Sequence, residues 1–145
     1  MPARTDPSAP WAEIEQQHDD LLRRARALSG HVRARDEAAA LEALDGMLEA
    51  TILHFKFEED VMERTGYPER IRHRGAHDLF LQDVHALATE LADAGLTADV
   101  ETWATERMPE WLSFHIQTND APLARHLQQV RWRGQPERPR TERPS

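Results

Sequence analysis

The sequence predicts an all-α protein, an antiparallel up-down four-helix bundle. Its 145 residues are enough for one domain with a sizeable core. The composition is rich in Ala, Leu, Glu and Arg, includes six glycines, and shows no strand-like alternation of useful length. Four stretches instead place apolar residues at helical spacing and are joined by short turns, which favour antiparallel neighbours.

The first two helices have recognisable ends. The first is expected to begin near Pro10, because proline suits the first helical turn, and to end at Gly30. The second should be capped by Asp36 and end at Gly66, where a glycine can take the left-handed conformation that closes a helix.

The third helix should start at about Pro68, directly after a tight turn, and run back beside the second as far as Gly95. Thr97 offers a cap for a fourth helix over residues 98–130. Pro109 should interrupt or bend that helix, because proline removes a backbone donor and crowds the preceding turn.

Charge and composition exclude several classes of function. A net charge of −8 argues against nucleic acid as a partner, and the absence of cysteine excludes disulfides, thiolate zinc sites and iron–sulfur clusters. With no long apolar run and no signal peptide, the chain is expected to be cytoplasmic, without a membrane partner. A flexible lead over 1–9 and a flexible Pro/Arg-rich tail over 131–145 should flank the folded 10–130.

Seven residues have the chemistry of metal ligands. Residues four apart share a helix face, and this spacing separates His54 from Glu58 and His73 from His77. A single histidine in such a place is more often a hydrogen-bonded or solvated residue, but here four separate segments would all have to point ligand-type residues inward by accident. Five imidazoles and two carboxylates suit a pair of first-row metal ions. The set is His18, His54, Glu58, His73, His77, His115 and Asp120.

The last two members of the set, His115 and Asp120, have a spacing that a regular helix does not support. They are five apart, which on an α-helix places them about 140° from each other. We therefore predict an irregularity, such as a π-bulge, between His115 and Pro122. Glu59 points about 100° away from Glu58 and is expected to be solvated or to support a ligand. Surface or interhelical positions are expected for His31, His85 and His126.

Three stretches of the chain resemble the hemerythrin family, in particular its short single-domain bacterial members. The second and third helices carry HFKFEEDVMERTGYPERIRHRGAHDLF over 54–80. QQH at 16–18 precedes this stretch and WLSFHIQTND at 111–120 follows it, in the same order as in the family. The resemblance covers roughly residues 11–130, and the joint motif is far more specific than any one HxxxE or HxxxH.

The resemblance implies a cofactor of two iron ions (Fe2+/Fe3+) with a bridging oxo or hydroxo group. Glu58 and Asp120 would bridge the irons through their carboxylates. One iron would be completed by three imidazoles, and the other would have two and keep one position open. The three are His73, His77 and His115, and the two are His18 and His54. The family's oxygen pocket is matched by Leu21, Phe55, Trp111 and Ile116.

The resemblance also implies reversible dioxygen binding, in oxygen transport, storage or supply to an oxygen-consuming enzyme, and no catalysis. Two alternatives stay open: a diiron enzyme acting on peroxide or nitric oxide, and an oxygen or redox sensor acting through a signalling partner. A ferritin-like oxidase is disfavoured, because such sites use two ExxH motifs and more carboxylates than imidazoles. Zinc or manganese could occupy the same ligands.

Overall fold

The computed structural model describes residues 9–133, which form four helical rods and no strand. The first three rods are single helices: α1 (Ala9–Arg33), α2 (Glu37–Arg64) and α3 (Arg70–Ala94). The fourth rod, 98–133, alternates α-helix with two π-helical segments. Its parts are α4 (Ala98–Thr102), π1 (Trp103–Arg107), α5 (Met108–His115), π2 (Ile116–Asp120) and α6 (Ala121–Arg133). Since α1 packs on α2 and on the fourth rod, and α3 packs on α2 and α4, the predicted four-helix bundle is confirmed.

The predicted caps hold the helix ends. The side chain of Asp36 accepts a hydrogen bond from the backbone N–H of Ala39 at 3.1 Å, which satisfies a donor that the first turn of α2 leaves free. Thr97 does the same for α4. Gly66 follows the end of α2 with a φ of 65°, a conformation that costs glycine little.

The predicted end of the first helix at Gly30 is wrong, because α1 continues to Arg33. Val32 is fully buried and extends the apolar face of α1. Its burial favours continuation of the helix past Gly30. The chain leaves the helix at Arg35, which has a φ of 60° although it is not a glycine. Its guanidinium donates to Glu101 Oε2 at 2.8 Å, a contact that holds this turn against the fourth rod.

Two other helix ends differ by a few residues from their predicted positions. α3 begins at Arg70 rather than at about Pro68, and α6 continues to Arg133, beyond the predicted end of the fourth helix at Val130. The predicted flexible lead over 1–9 lies outside the described residues except for Ala9. The predicted tail lies outside them beyond Arg133.

Both irregularities predicted in the fourth rod are π-helical. The backbone N–H of Met108 bonds to the carbonyl of Trp103, five residues back, immediately before Pro109. A proline ring crowds the carbonyl four residues earlier, so a wider turn at this point relieves the clash. In π2 the N–H of Ala121 bonds in the same way to the carbonyl of Ile116. The predicted irregularity between His115 and Pro122 is therefore confirmed.

A layer of polar side chains divides the core of the bundle into two apolar clusters. The larger cluster includes Leu21, Phe55, Phe80 and Leu112, and the smaller one lies toward the turn between α2 and α3. The smaller cluster contains Ile14, Val61, Met62, Tyr67, Leu123 and Leu127. On every rod the ligand-type residues fall between the two clusters, so the apolar packing on both sides fixes the level of the polar layer. Within residues 9–133, no helix is long and apolar enough to cross a membrane.

Candidate metal centre

The structure brings all seven predicted ligand residues together in the polar layer. Each of the four rods contributes at least one, and each residue is at most 7 % exposed. Burying so many imidazoles and carboxylates is costly unless they are paired or bound to a cation. The seven residues are His18, His54, Glu58, His73, His77, His115 and Asp120.

Five of these residues converge on one small space, and we call this group the three-imidazole half of the site. The candidate ligand atoms of His73, His77, His115, Glu58 and Asp120 all lie within 4.8 Å of one another. The Nε2 atoms of His77 and His115 are 3.1 Å apart, and His77 Nε2 lies 3.1 Å from Glu58 Oε1. His73 Nε2 is 3.0 Å from Asp120 Oδ1. Three ring nitrogens and two carboxylate oxygens therefore face one small space.

A second group, the two-imidazole half, shares the same two carboxylates. The ligand atoms of His18, His54, Glu58 and Asp120 also lie within 4.8 Å of one another. His18 Nε2 is 2.8 Å from Asp120 Oδ2, and His54 Nε2 is 3.3 Å from Glu58 Oε2. This half therefore offers four protein atoms where the other offers five.

Each carboxylate presents one oxygen to each half. Glu58 Oε1 faces His73 and His77, while its Oε2 faces His18 and His54. Asp120 divides its two oxygens between the halves in the same way. A carboxylate placed like this can bridge two metal ions.

Several of the polar atoms have no hydrogen-bond partner, although they are completely buried. They are both carboxylate oxygens of Glu58, Nε2 of His73 and Oδ1 of Asp120. Neighbouring ligand atoms lie 3.0 to 3.3 Å away without the geometry of a hydrogen bond. A buried polar atom without a partner is rare, and cations in the two halves would satisfy all four. The donor set therefore fits a pair of metal ions.

The protonation of the cluster also favours cations. Burial works to lower the pKa of His18, but its contacts with Asp120 and Glu58 prevail and raise that pKa to about 9. Burial works in the opposite direction on Glu58, whose four imidazole neighbours keep its pKa well below the usual range. Burial also tends to raise the pKa of Asp120, yet His115, His18 and His73 hold it at about 2. Both carboxylates are thus anionic, and metal binding would displace protons from the imidazoles.

Two imidazoles are held from behind by a side chain outside the seven. His54 Nδ1 lies 2.6 Å from Gln17 Oε1, and His77 Nδ1 lies 3.0 Å from Glu59 Oε2. Of the two positions expected for Glu59, solvated or supporting a candidate ligand, this contact with His77 corresponds to the second. Gln17 was not predicted, because its only sequence signal is that it precedes His18 in the chain.

Two of the four predicted pocket residues contact ligand imidazoles. Phe55 stacks on His77 with ring centroids 3.7 Å apart, and Trp111 stacks on His115 at 4.5 Å. The centroids of Phe55 and Trp111 are 6.2 Å apart. Both aromatic rings therefore pack against imidazoles of the three-imidazole half.

The other two predicted pocket residues lie elsewhere. Leu21 is buried and lines a cavity of about 410 Å³ between α1 and α2, which reaches His54 and Gln17. Ile116 is half-buried at the start of π2. Of the seven ligand-type residues, His54 is the one that lines this cavity.

The three remaining histidines lie outside the cluster, as expected. His126 is partly buried, lies 3.1 Å from the carbonyl and the hydroxyl of Thr65, and packs against the ring of Tyr67. It therefore joins α6 to the end of α2. His85 is exposed on α3, and His31 is half-buried near the end of α1.

Comparisons with known proteins agree with this geometry. Residues 9–127 match the family model described as the hemerythrin HHE cation-binding domain. The chain is 30 % identical to a bacteriohemerythrin of Stenotrophomonas maltophilia over 77 % of this chain and 71 % of the relative. It is 31 % identical to a hemerythrin-like protein of Naegleria gruberi over 74 % and 77 % of the two chains. It is 32 % identical to a myohemerythrin of Sipunculus nudus over 60 % and 64 %.

The family match covers almost all of the described residues, including every member of the buried cluster. Hemerythrins hold a diiron centre, and this cluster has the ligand types and the two-fold arrangement to hold one. The chain therefore belongs to the hemerythrin family.

Proposed function

We propose that this protein binds dioxygen reversibly at a diiron centre held by the seven buried residues, and that it carries, stores or supplies oxygen without catalysing a reaction. The observation that carries this proposal is the unequal number of protein atoms in the two halves. Five converge on the three-imidazole half and four on the two-imidazole half. A small molecule would therefore bind in the two-imidazole half, where fewer protein atoms fill the coordination sphere.

The protein's own groups would hold the metal pair and keep the spacing of its members fixed. Glu58 and Asp120 would span both halves, because each directs one oxygen to either side. The imidazoles would complete the two positions as neutral ligands. Iron bound there would supply the electrons and the free coordination position that dioxygen requires.

The surroundings of the cluster favour release of oxygen over its reduction. The predicted pocket residues Leu21, Phe55, Trp111 and Ile116 have no group that could donate a proton to bound oxygen. Reduction of dioxygen to free peroxide requires protons, so apolar side chains next to the candidate ligands favour reversible binding. The cavity beside Leu21 reaches His54, and its charged lining residues Glu13, Arg24 and Glu49 are themselves exposed to solvent. An oxygen-consuming enzyme would be the natural recipient of the gas.

The proposal can be tested with His54→Ala, a change in the two-imidazole half. Iron-loaded wild-type protein should develop visible absorption bands on exposure to oxygen and lose them when the gas is purged. His54→Ala should abolish these bands, because it removes one of the four protein atoms of that half, and should leave most of the helical circular dichroism.

A matched control is His85→Ala, since His85 is an exposed histidine on α3 outside the cluster. This variant should keep the oxygen-dependent bands of the wild type. Full oxygen binding by His54→Ala would contradict the proposed site.

A further inference from the structure

Each half of the candidate metal centre has one imidazole held by a side chain at Nδ1, and the two side chains differ in charge. In the two-imidazole half, His54 Nδ1 lies 2.6 Å from the amide oxygen of Gln17. In the three-imidazole half, His77 Nδ1 lies 3.0 Å from the carboxylate of Glu59. Both partner atoms accept hydrogen bonds, so each ring carries its proton on Nδ1 and directs a lone pair from Nε2 into the centre.

A carboxylate and an amide act differently on the imidazole that donates to them. A negative partner draws the Nδ1 proton toward itself and leaves more electron density on the ring, which makes Nε2 a stronger metal ligand. A neutral amide fixes the orientation of the ring with a much smaller electronic effect. Arg74 Nε lies 4.0 Å from Glu59, but its side chain is 61 % exposed, so it offsets little of the carboxylate's effect.

The amide of Gln17 is itself held by a carboxylate. Its nitrogen donates to Glu13 Oε2 at 3.1 Å, which fixes the orientation of the amide and turns its oxygen toward His54. Glu13 is exposed at the edge of the cavity between α1 and α2. The negative charge on this side is therefore one residue further from the imidazole than it is on the Glu59 side.

We propose that Gln17 and Glu59 are positioning residues that make the two metal positions unequal in strength, with Glu59 strengthening the three-imidazole half and Gln17 keeping the two-imidazole half weaker. The inference rests on the proposed diiron centre and extends it to side chains that do not touch the metal. His54, which belongs to the weaker half, also lines the cavity between α1 and α2.

The experiment uses metal-free protein titrated with Co2+ under argon, followed by calorimetry and by visible absorption, so that no oxygen chemistry enters. The wild type should bind two ions, the tighter one in the three-imidazole half, which offers five protein atoms. The double variant Glu13→Gln/Gln17→Glu keeps the net charge and moves the carboxylate into contact with His54. It should tighten the weaker binding step about 10-fold.

The reciprocal variant is Glu59→Gln, which keeps an acceptor for His77 and removes its charge. It should weaken the tighter binding step about 10-fold. Matched controls are Glu13→Gln alone and Glu63→Gln, an exposed carboxylate on α2 whose ion-pair partner is Arg70. Each control should change either binding constant by less than about 2-fold, and circular dichroism should confirm that every variant is folded.

The outcomes separate the inference from the proposed function. If the wild type binds two ions and both charge exchanges leave the constants unchanged, the partners only orient the rings and the inference is wrong. The inference is also wrong if the control variants change the binding constants as much as Glu13→Gln/Gln17→Glu and Glu59→Gln do. If the wild type binds fewer than two ions, the diiron centre and the inference both fail.

Discussion

Neutralising Glu58 should remove most of the stability that metal gives to this protein. Glu58 is fully buried, and its two oxygens face four imidazoles, two in each half. In Glu58→Gln the side chain keeps its size, but only one of its two terminal atoms can still act as a ligand. One half loses an oxygen ligand outright, and both halves lose the negative charge that favours cations.

The magnitude follows from the two metal positions. An ion that is present at 100 times its dissociation constant stabilises the folded state by about 2.7 kcal/mol, so two positions give about 5 kcal/mol. For a chain of 145 residues this corresponds to a rise in Tm of about 15 °C. In Glu58→Gln, at the same Fe2+ concentration, the rise should be about 5 °C or less.

The assay is thermal unfolding followed by circular dichroism, with and without Fe2+ in the absence of air. The control is Glu63→Gln, which removes the same charge from an exposed position on α2 and should keep the full rise. If Glu58→Gln keeps a metal-dependent rise equal to that of the wild type, Glu58 does not bridge the two halves and the reasoning fails.

Three further predictions concern the folding of the bundle, and each is measured by chemical denaturation of the metal-free protein. Leu123→Ala should lower the free energy of unfolding by about 2–5 kcal/mol, since Leu123 is fully buried in the smaller cluster. Leu53→Ala, at a 63 % exposed position, should lower it by less than about 0.5 kcal/mol. Equal losses in the two variants would contradict the assigned core. Gly75→Ala should stabilise the protein by about 0.5–1 kcal/mol, because the added Cβ meets open space inside α3. Gly66→Ala should destabilise the protein, because its φ of 65° does not suit alanine. The opposite order of stability would contradict the assigned backbone. Asp36→Ala should cost about 1 kcal/mol through loss of the cap on α2, and a neutral result would show that the cap carries no stability.

The sequence was sufficient to predict which side chains meet in the polar layer, because a spacing of four residues is a local property of a helix. His54 and Glu58 share a face of α2 whatever the neighbouring helices do, and the same is true of His73 and His77 on α3. The spacing between His115 and Asp120 was informative because a regular helix could not bring both side chains inward. That mismatch predicted the π-helical segment that the structure contains.

Contacts between rods could not be predicted in this way. Gln17 meets His54 only because of the rotation of α1 about its own axis relative to α2, and no spacing within either helix encodes that rotation. The end of α1 was misplaced for a related reason, since burial of Val32 and the contact of Arg35 with Glu101 outweigh the local tendency of Gly30 to end a helix. Pro109 indicated an interruption of the fourth helix but not that it would be π-helical.

An optical spectrum of the iron-loaded protein, reduced without air, exposed to oxygen and then purged, decides whether the protein binds oxygen reversibly. We expect visible bands of an oxidised diiron centre that appear with oxygen, fade on purging and return when oxygen is readmitted. Bands that form once and never reverse would contradict reversible binding and indicate an oxidising enzyme. The complete absence of bands would contradict the oxygen-binding diiron centre itself.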